Sequence, residues 1–300
     1  MDLNTLFHKI KNQESQTIAV AHATDPTVFE SAEKALEKNL ASFIFTGPES
    51  EMKKALNEAS FTFGDDTRVS FINTESDKES AQTAVEIVKQ DKARVLMKGM
   101  VSTSLLLKAV LNKENGLRTG KILSHLAGFS LPGRDSLMFI TDAAMNISPD
   151  LKEKVQIIDN AVDAVNKMGV DKPKVAVIAA VETVNPAMQA TLDGAALTQM
   201  NRRNQIKGCE VDGPLGFDNA VSRTAASQKG ITSEVAGNAD ILLVPGIETG
   251  NVLYKSLTYF GQAVVGGMIV GAKAPIVLTS RSDSADSKLF SMAMALSTTK

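Results

Sequence analysis

Residues 94–111 read RVLMKGMVSTSLLLKAVL. Arg94–Lys98 is a short apolar run closed by a glycine, the pattern of a buried strand. Ser102–Leu111 reads as a helix with Ser102 as its N-cap. A strand that turns through small residues into a helix is the repeating unit of an α/β protein. The same alternation extends toward the N-terminus, with strands at Thr17–His22, Ser42–Thr46 and Val69–Asn73. Helices are predicted between them at Pro26–Asn39 and Ser76–Gln90. In the second, Ala81, Val85 and Val88 recur at helical spacing, with Glu79, Glu86 and Lys89 around the outside.

Toward the C-terminus the pattern changes. Lys121–Leu131 and Ser136–Thr141 read as two strands joined across Pro132-Gly133-Arg134-Asp135, a turn-forming tetrapeptide. A hairpin is antiparallel, so a mixed sheet is expected. Val155, Ile158, Val162 and Val165 then form one face of a long helix that Gly169 ends. Further strands are predicted at Lys174–Ala180, Ala239–Pro245 and Pro275–Thr279, and helices at Pro186–Met200, Gly250–Phe260 and Asp286–Ser297. The best domain boundary lies near Asn146–Asp150.

The chain has 300 residues, of which 43% are hydrophobic and 22% charged, enough for one large core or two modest ones. Lys plus Arg is 32 and Asp plus Glu is 34, a net charge of −2, which argues against bulk attraction to nucleic acid or anionic membrane. The single cysteine, Cys209, excludes an internal disulfide. The three histidines, His8, His22 and His125, have no metal-ligand spacing, so no metal site is expected. The N-terminal MDLNTLFHKIKNQES lacks signal-peptide character, and the most apolar stretch, Ala263–Ala274, is too short to span a bilayer. A soluble cytoplasmic protein is expected.

No G-x-G-x-x-G follows the first strand, and neither a P-loop nor a G-x-S-x-G elbow is present. The cluster Gly266-Gly267…Gly271 reads as close packing rather than a phosphate cradle. Chemistry is expected where apolar strands end in small, polar or charged residues, because ligands of α/β sheets bind beyond the carboxyl ends of strands. Four stretches fit: Val95–Ser104, Phe139–Asn146, Val244–Lys255 and Val277–Asp286. In the first, Gly99 allows close backbone approach, and the helix beginning at Ser102 offers unpaired N–H groups to an anion. In the last, Arg281 can grip phosphate oxygens while a neighbouring carboxylate takes a proton. Taken singly, each stretch also reads as an ordinary capped helix or turn.

In combination, KGMVSTS (98–104), FITDAAMNI (139–147), AAVETVNPAMQAT (179–191), DGPLGFDNA (212–220), VAGNADILLVPGIETGNVLYK (235–255) and PIVLTSRSDS (275–284) resemble the phosphate acetyl/butyryltransferase family, with closer likeness to its butyryl branch. The resemblance covers most of the chain beyond about Arg94. It implies the reaction acyl-CoA + phosphate ⇌ acyl phosphate + CoA. It further implies two α/β domains related to isocitrate and isopropylmalate dehydrogenases, with the active site in an interdomain cleft. The C-terminal segment would return to the first domain, giving 1–145 plus 272–300 and 146–271. Homodimers are usual, CoA is a substrate, and no permanently bound cofactor is implied.

Carried onto this sequence, the resemblance makes Arg281 the phosphoryl-holding residue. Ser280 becomes the stabiliser of charge at the attacked carbonyl or thiol, and Asp286 the base for the CoA thiol, with Asp283 as rival. Lys98, Gly99, Ser102, Thr103, Ser124, Asn146, Gly250, Asn251, Tyr254 and Lys255 would bind phosphate and CoA. Lys108 and Tyr259 stand where the acetyl branch carries arginines; Arg134 or Lys255 could compensate, and the missing bulk could admit a four- or five-carbon acyl chain. Because an ordinary Asp is a weak base for a thiol of pKa ~8.5, Asp286 should be partly desolvated or act late. Direct transfer in a ternary complex is expected. Cys209 is expected to be an inert buried thiol rather than an acyl carrier, and His125 a satisfied structural histidine. Competing readings are a phosphate acetyltransferase, an acyl-carrier-protein-dependent acyltransferase and a non-catalytic CoA-binding module.

Overall fold

The computed structural model describes residues 1–60, 63, 66–279 and 283–299. The chain forms two compact units: Leu3–Lys121 with Val265–Lys300, and Ile122–Val264 with Met1–Asp2. The first unit opens with α1 (Leu3–Lys11), β1 (Gln16–Ala21), α2 (Pro26–Glu37), β2 (Ala41–Gly47), α3 (Glu49–Glu58) and β3 (Val69–Asn73). It continues with α4 (Asp77–Lys89), β4 (Val95–Lys98) and α5 (Thr103–Val110). The second unit holds β5 (Ser124–Ser130), β6 (Met138–Thr141), α6 (Leu151–Met168), β7 (Lys174–Ile178) and α7 (Gln189–Arg202). These are followed by β8 (Glu210–Leu215), α8 (Phe217–Val221), α9 (Arg223–Gln228), β9 (Ile241–Leu243) and α10 (Ile247–Tyr259). The chain then returns to the first unit as β10 (Val264–Val270), β11 (Ile276–Val277) and α11 (Ala285–Ser297).

Strands of the first unit lie in the order β3-β2-β1-β4-β11-β10, parallel except for β10, which pairs antiparallel with β11. Parallel strands are covered on both faces, so they are written as continuous apolar runs: Ile18, Ala19, Val20 and Ala21 are all fully buried. The second unit runs β5-β6-β9-β7-β8, with the expected β5–β6 hairpin antiparallel and the remaining pairs parallel. The mixed α/β architecture is therefore the one expected.

The contact division falls after Lys121, whereas the sequence placed its boundary at 145/146; the hairpin groups with the second unit, where β6 pairs with β9. Similarly, Val265–Gly271 groups with the first unit rather than the second.

Capping residues mark the ends of α5 and α6. Ser102 caps α5 by accepting Leu105 N–H at 3.3 Å, and Asp150 and Glu153 form a reciprocal capping box on α6. Gly169 ends α6 at φ 110°, a left-handed conformation that suits glycine. Two starts differ. α7 begins at Gln189 instead of Pro186 because the Thr191 hydroxyl holds both the N–H and the carbonyl of Asn185 in a turn. α10 begins at Ile247, three residues earlier than expected, which puts Gly250 inside the helix. The sequence pattern does not signal strands β8 and β10 or helices α1, α3, α8 and α9. The glycines of β10 do serve packing: a Cβ on Gly266 would stand 2.8 Å from the Phe290 ring of α11. No helix among the described residues is long and apolar enough to cross a membrane.

Candidate active site

In the first unit the polar loops gather where β1, β2 and β4 end. Gly99 N–H donates to Ala21 O and Met100 N–H to His22 O, both at 2.9 Å, so the loop after β4 lies on the end of β1. A Cβ at Gly99 would meet His22 O at 2.3 Å and Ala21 O at 2.7 Å, leaving room only for glycine. Lys98 is buried, and its ammonium donates to Gly99 O at 3.0 Å and Val101 O at 3.2 Å, bracing the loop from within. Ser102 and Thr103, at the start of α5, are exposed. Lys98, Gly99, Ser102 and Thr103 thus form one braced strand-to-helix turn, with backbone N–H groups of the first helical turn available to an anion.

Beneath this turn lies a network that the sequence did not reveal. His22 follows β1 in a left-handed conformation, φ 59°. Its Nδ1 is 3.1 Å from Ser80 Oγ, and its Nε2 lies 3.2 Å from Asp77 Oδ1. Ser80 Oγ in turn bonds Thr74 Oγ1 at 2.6 Å. His22, Thr46, Thr74 and Ser80 are all buried, and together they tie β1, β2 and α4 below the loop.

β11 runs parallel to β4 with Val277 opposite Met97. Ser280 and Arg281 follow β11 and lie outside the described residues. Asp286 stands in the first turn of α11, where its side chain is 69% exposed and its Oδ1 is 2.6 Å from Lys34 Nζ of α2. The expected desolvation of this carboxylate is therefore absent; it is paired with a lysine instead. Asp283, the rival, presents its backbone carbonyl to Lys288 Nζ at 2.7 Å. Lys108, on α5, is exposed.

In the second unit a different group converges on the 142–147 turn after β6. Asp142 is buried and saturated: Oδ1 accepts from Ala144 and Met145 N–H at 2.8 and 2.9 Å, and Oδ2 from His125 N–H at 3.0 Å and Asn146 Nδ2 at 2.6 Å. Asn146 also donates to Leu123 O at 2.9 Å. Read from sequence as a possible turn former, Asp142 is that and also the centre of the cluster. Gly250 lets α10 press on this turn, since a Cβ there would lie 2.8 Å from Asp142 O and Ala143 Cα. Tyr254 packs edge-on against Phe129, ring centres 5.4 Å apart, and 6.1 Å from His125. Ser124 is fully buried and receives a bond from Asn160 Nδ2 at 3.1 Å, so it supports the cluster from inside. Asn251, Lys255 and Tyr259 are exposed on α10. Arg134 is engaged within the second unit by donating to Ala239 O at 2.8 Å.

His125 departs from the expectation of a satisfied histidine. Its Nδ1 is buried without a hydrogen-bond partner among the described residues. Burial pushes the imidazole below its usual range, against the pull of the Asp142 carboxylate. Cys209 behaves as expected of an inert thiol: burial, with Asp159 and Glu210 adding repulsion, pushes it up to about 12.

Polar turns beyond parallel strands, braced by buried side chains and opening a helix N-terminus, define an α/β protein suited to anionic, phosphate-bearing substrates. The sequence profile described as phosphate acetyl/butaryl transferase matches residues 71–296, and the chain belongs to that family. It is 53% identical over 296 residues to a probable phosphate butyryltransferase of Bacillus subtilis, covering 99% of this chain and 97% of the relative. Identity to a phosphate butyryltransferase of Clostridium acetobutylicum is 47% over 292 residues, 97% of this chain and 96% of the relative. A solved branched-chain phosphotransacylase from Enterococcus faecalis superposes with a TM-score of 0.83 at 35% identity, covering 94% of this chain and 98% of the other.

Proposed function

We propose that the chain is a phosphate acyltransferase that exchanges an acyl group between the CoA sulfur and inorganic phosphate, acyl-CoA + phosphate ⇌ acyl phosphate + CoA, acting on butyryl or branched four- to five-carbon groups. The observation that carries this reading is the register of β11 on β4. With Val277 opposite Met97 in a parallel pair, the chain leading to Ser280-Arg281 and the chain leading to Ser102-Thr103 emerge from the same edge of the sheet.

Chemically, a phosphate oxygen attacks the thioester carbonyl, the C–O bond forms, and the C–S bond breaks to release CoA thiolate. Arg281 holds the phosphate by paired N–H donors, and Ser280 donates to the oxygen on which charge develops. Monohydrogen phosphate gives up its proton as it attacks, Asp286 passes that proton to sulfur as the C–S bond breaks, and in the reverse direction it takes the thiol proton and hands it to the phosphate oxygen. An exposed carboxylate is a weak base for a thiol, so Asp286 acts late, when sulfur is already parting from the carbonyl or approaching it. Gly99, Ser102 and Thr103 bind phosphoryl oxygens on the loop that Lys98 braces, and Asn146, Asn251, Tyr254 and Lys255 supply further substrate contacts beside the turn on which Gly250 lets α10 pack. Holding both substrates together removes much of the entropic barrier. CoA is a substrate, no resident cofactor is required, and the working form is a cytoplasmic homodimer.

The test is phosphate-dependent CoA release from acetyl-, butyryl-, isobutyryl- and isovaleryl-CoA by wild type and Arg281→Ala. Fastest release from the longer thioesters, absent without phosphate and lost in the variant, supports the reading. CoA binding with no release from any thioester overturns it in favour of a binding module. Fastest release from acetyl-CoA moves it to the acetyl branch.

A further inference from the structure

Lys288 lies in the second turn of α11 with only 1% of its side chain exposed. Its ammonium reaches back past the helix start to donate to Asp283 O at 2.7 Å, and stands 4.0 Å from Asp25 Oδ2. Asp25 is itself the N-cap of α2, accepting Thr27 N–H at 3.0 Å and Thr27 Oγ1–H at 2.9 Å. One buried cation thereby joins the start of α11 to the start of α2. The placement is physically unfavourable three times over. Burial drives the ammonium toward neutrality, against the pull of Asp25, Asp283 and Glu30. A positive charge near a helix N-terminus opposes the helix dipole. An apolar side chain of equal volume would also fill the space without desolvating a charge.

What the lysine does that an apolar residue cannot is hold a particular carbonyl in a particular place. That carbonyl belongs to the residue just before Ser284, the N-cap of α11, and Asp286 stands two residues into the helix it opens. Asp286 is in turn paired with Lys34 of α2. The two ties differ in kind: Lys34–Asp286 is a solvent-facing ion pair, whereas Lys288 is enclosed.

We propose that Lys288 is a positioning residue for acyl transfer, fixing the first turn of α11 against α2 so that Asp286 stands where the sulfur proton is exchanged. This rests on the transferase reading above.

The experiment compares Lys288→Met with wild type and with Leu296→Ala, which opens a cavity at the opposite end of the same helix. Initial rates are measured well below the unfolding midpoint of each protein. For Lys288→Met the expected result is a fall in kcat of about 10- to 100-fold, as for a misplaced reacting group, with KM for acyl-CoA within about twofold. Leu296→Ala should keep its kcat. Hydrogen exchange should quicken across 283–287 in Lys288→Met alone. A kcat for Lys288→Met no lower than that of Leu296→Ala overturns the role while leaving the reaction standing. A wild type without phosphate-dependent CoA release removes the reaction and the role together. Should Lys288→Met not fold, Asp25→Asn decides, since asparagine still caps α2 but gives the ammonium no carboxylate to face. A kcat lowered at least about threefold supports the role, and an unchanged one overturns it.

Discussion

Lys34 Nζ lies 2.6 Å from Asp286 Oδ1, joining two helices whose partner residues are 252 positions apart in the chain. The pair is largely open to solvent, with 41% of the lysine and 69% of the aspartate side chain exposed, so it contributes at most about 1 kcal/mol to folding. Its importance is chemical. Under the proposed reaction, the lysine holds the Asp286 carboxylate in one orientation until substrate arrives.

Asp286→Asn therefore separates function from stability. Loss of general acid–base action should lower kcat by about 10²- to 10⁴-fold. The unfolding free energy should change by less than about 1 kcal/mol. Rates of CoA release and urea unfolding of the same preparation check both halves. Retained activity with an unchanged pH profile would transfer the role to Asp283.

Gly99→Ala should have the opposite character. The new methyl would meet backbone atoms at 2.3 and 2.7 Å, the carbonyls of His22 and Ala21, which also accept the Met100 and Gly99 N–H groups. Neither side can yield without pulling the loop off the end of β1. A destabilisation of about 1–3 kcal/mol is expected, together with loss of phosphate binding. Denaturant unfolding and the KM for phosphate measure the two effects.

The inner parallel strands of the first unit are legible because strands buried on both faces are written as unbroken apolar runs, as in Ile18–Ala21 and Val95–Met97. Helix ends were legible wherever a cap residue stands at them, as at Ser102 and Gly169. β8 escaped notice because EVDGPL mixes charges, glycine and proline, and β10 because its glycines read as packing without direction. Of the site, the turns after strands could be read, since glycine, hydroxyls and a lysine cluster there in sequence. The side chains that brace them could not. His22 meets Ser80 across 58 positions and Lys98 turns back to its own loop, and neither contact leaves a local pattern. Asp142 illustrates the boundary: its turn-forming bonds to Ala144 and Met145 are local, whereas its bond to His125 N–H depends on the hairpin pairing first.

Cys209 gives a prediction about kinetic order. The thiol is 5% exposed and burial pushes it up to about 12, so almost none is thiolate at neutral pH. Cys209→Ala should keep kcat within about twofold, because truncating an inert buried thiol removes packing and no transition-state contact. Wild type should show intersecting, sequential initial-rate patterns. Iodoacetamide should label the native protein only as fast as it unfolds. Parallel ping-pong lines that disappear with the cysteine would instead make it an acyl carrier.

His125 makes stability depend on pH in a direction that can be worked out. In the folded state burial holds the imidazole below its usual range and therefore neutral, outweighing the attraction of Asp142. In the unfolded chain it titrates near its ordinary value of about 6.5. Below that pH the unfolded state binds a proton that the folded state refuses, so stability falls as pH falls and recovers as pH rises. Above about pH 6.5 both states are neutral at this residue and its contribution is flat. His125→Leu removes the proton-binding difference and with it a buried nitrogen that has no partner among the described residues. Urea unfolding at pH 7.5 and pH 5.5 should thus show a larger loss for wild type than for the variant. The gap cannot exceed about 1.4 kcal/mol, the linkage value of one pH unit below the unfolded pKa. Equal losses in the two proteins would mean that His125 takes up its proton in the folded state as readily as in the unfolded chain.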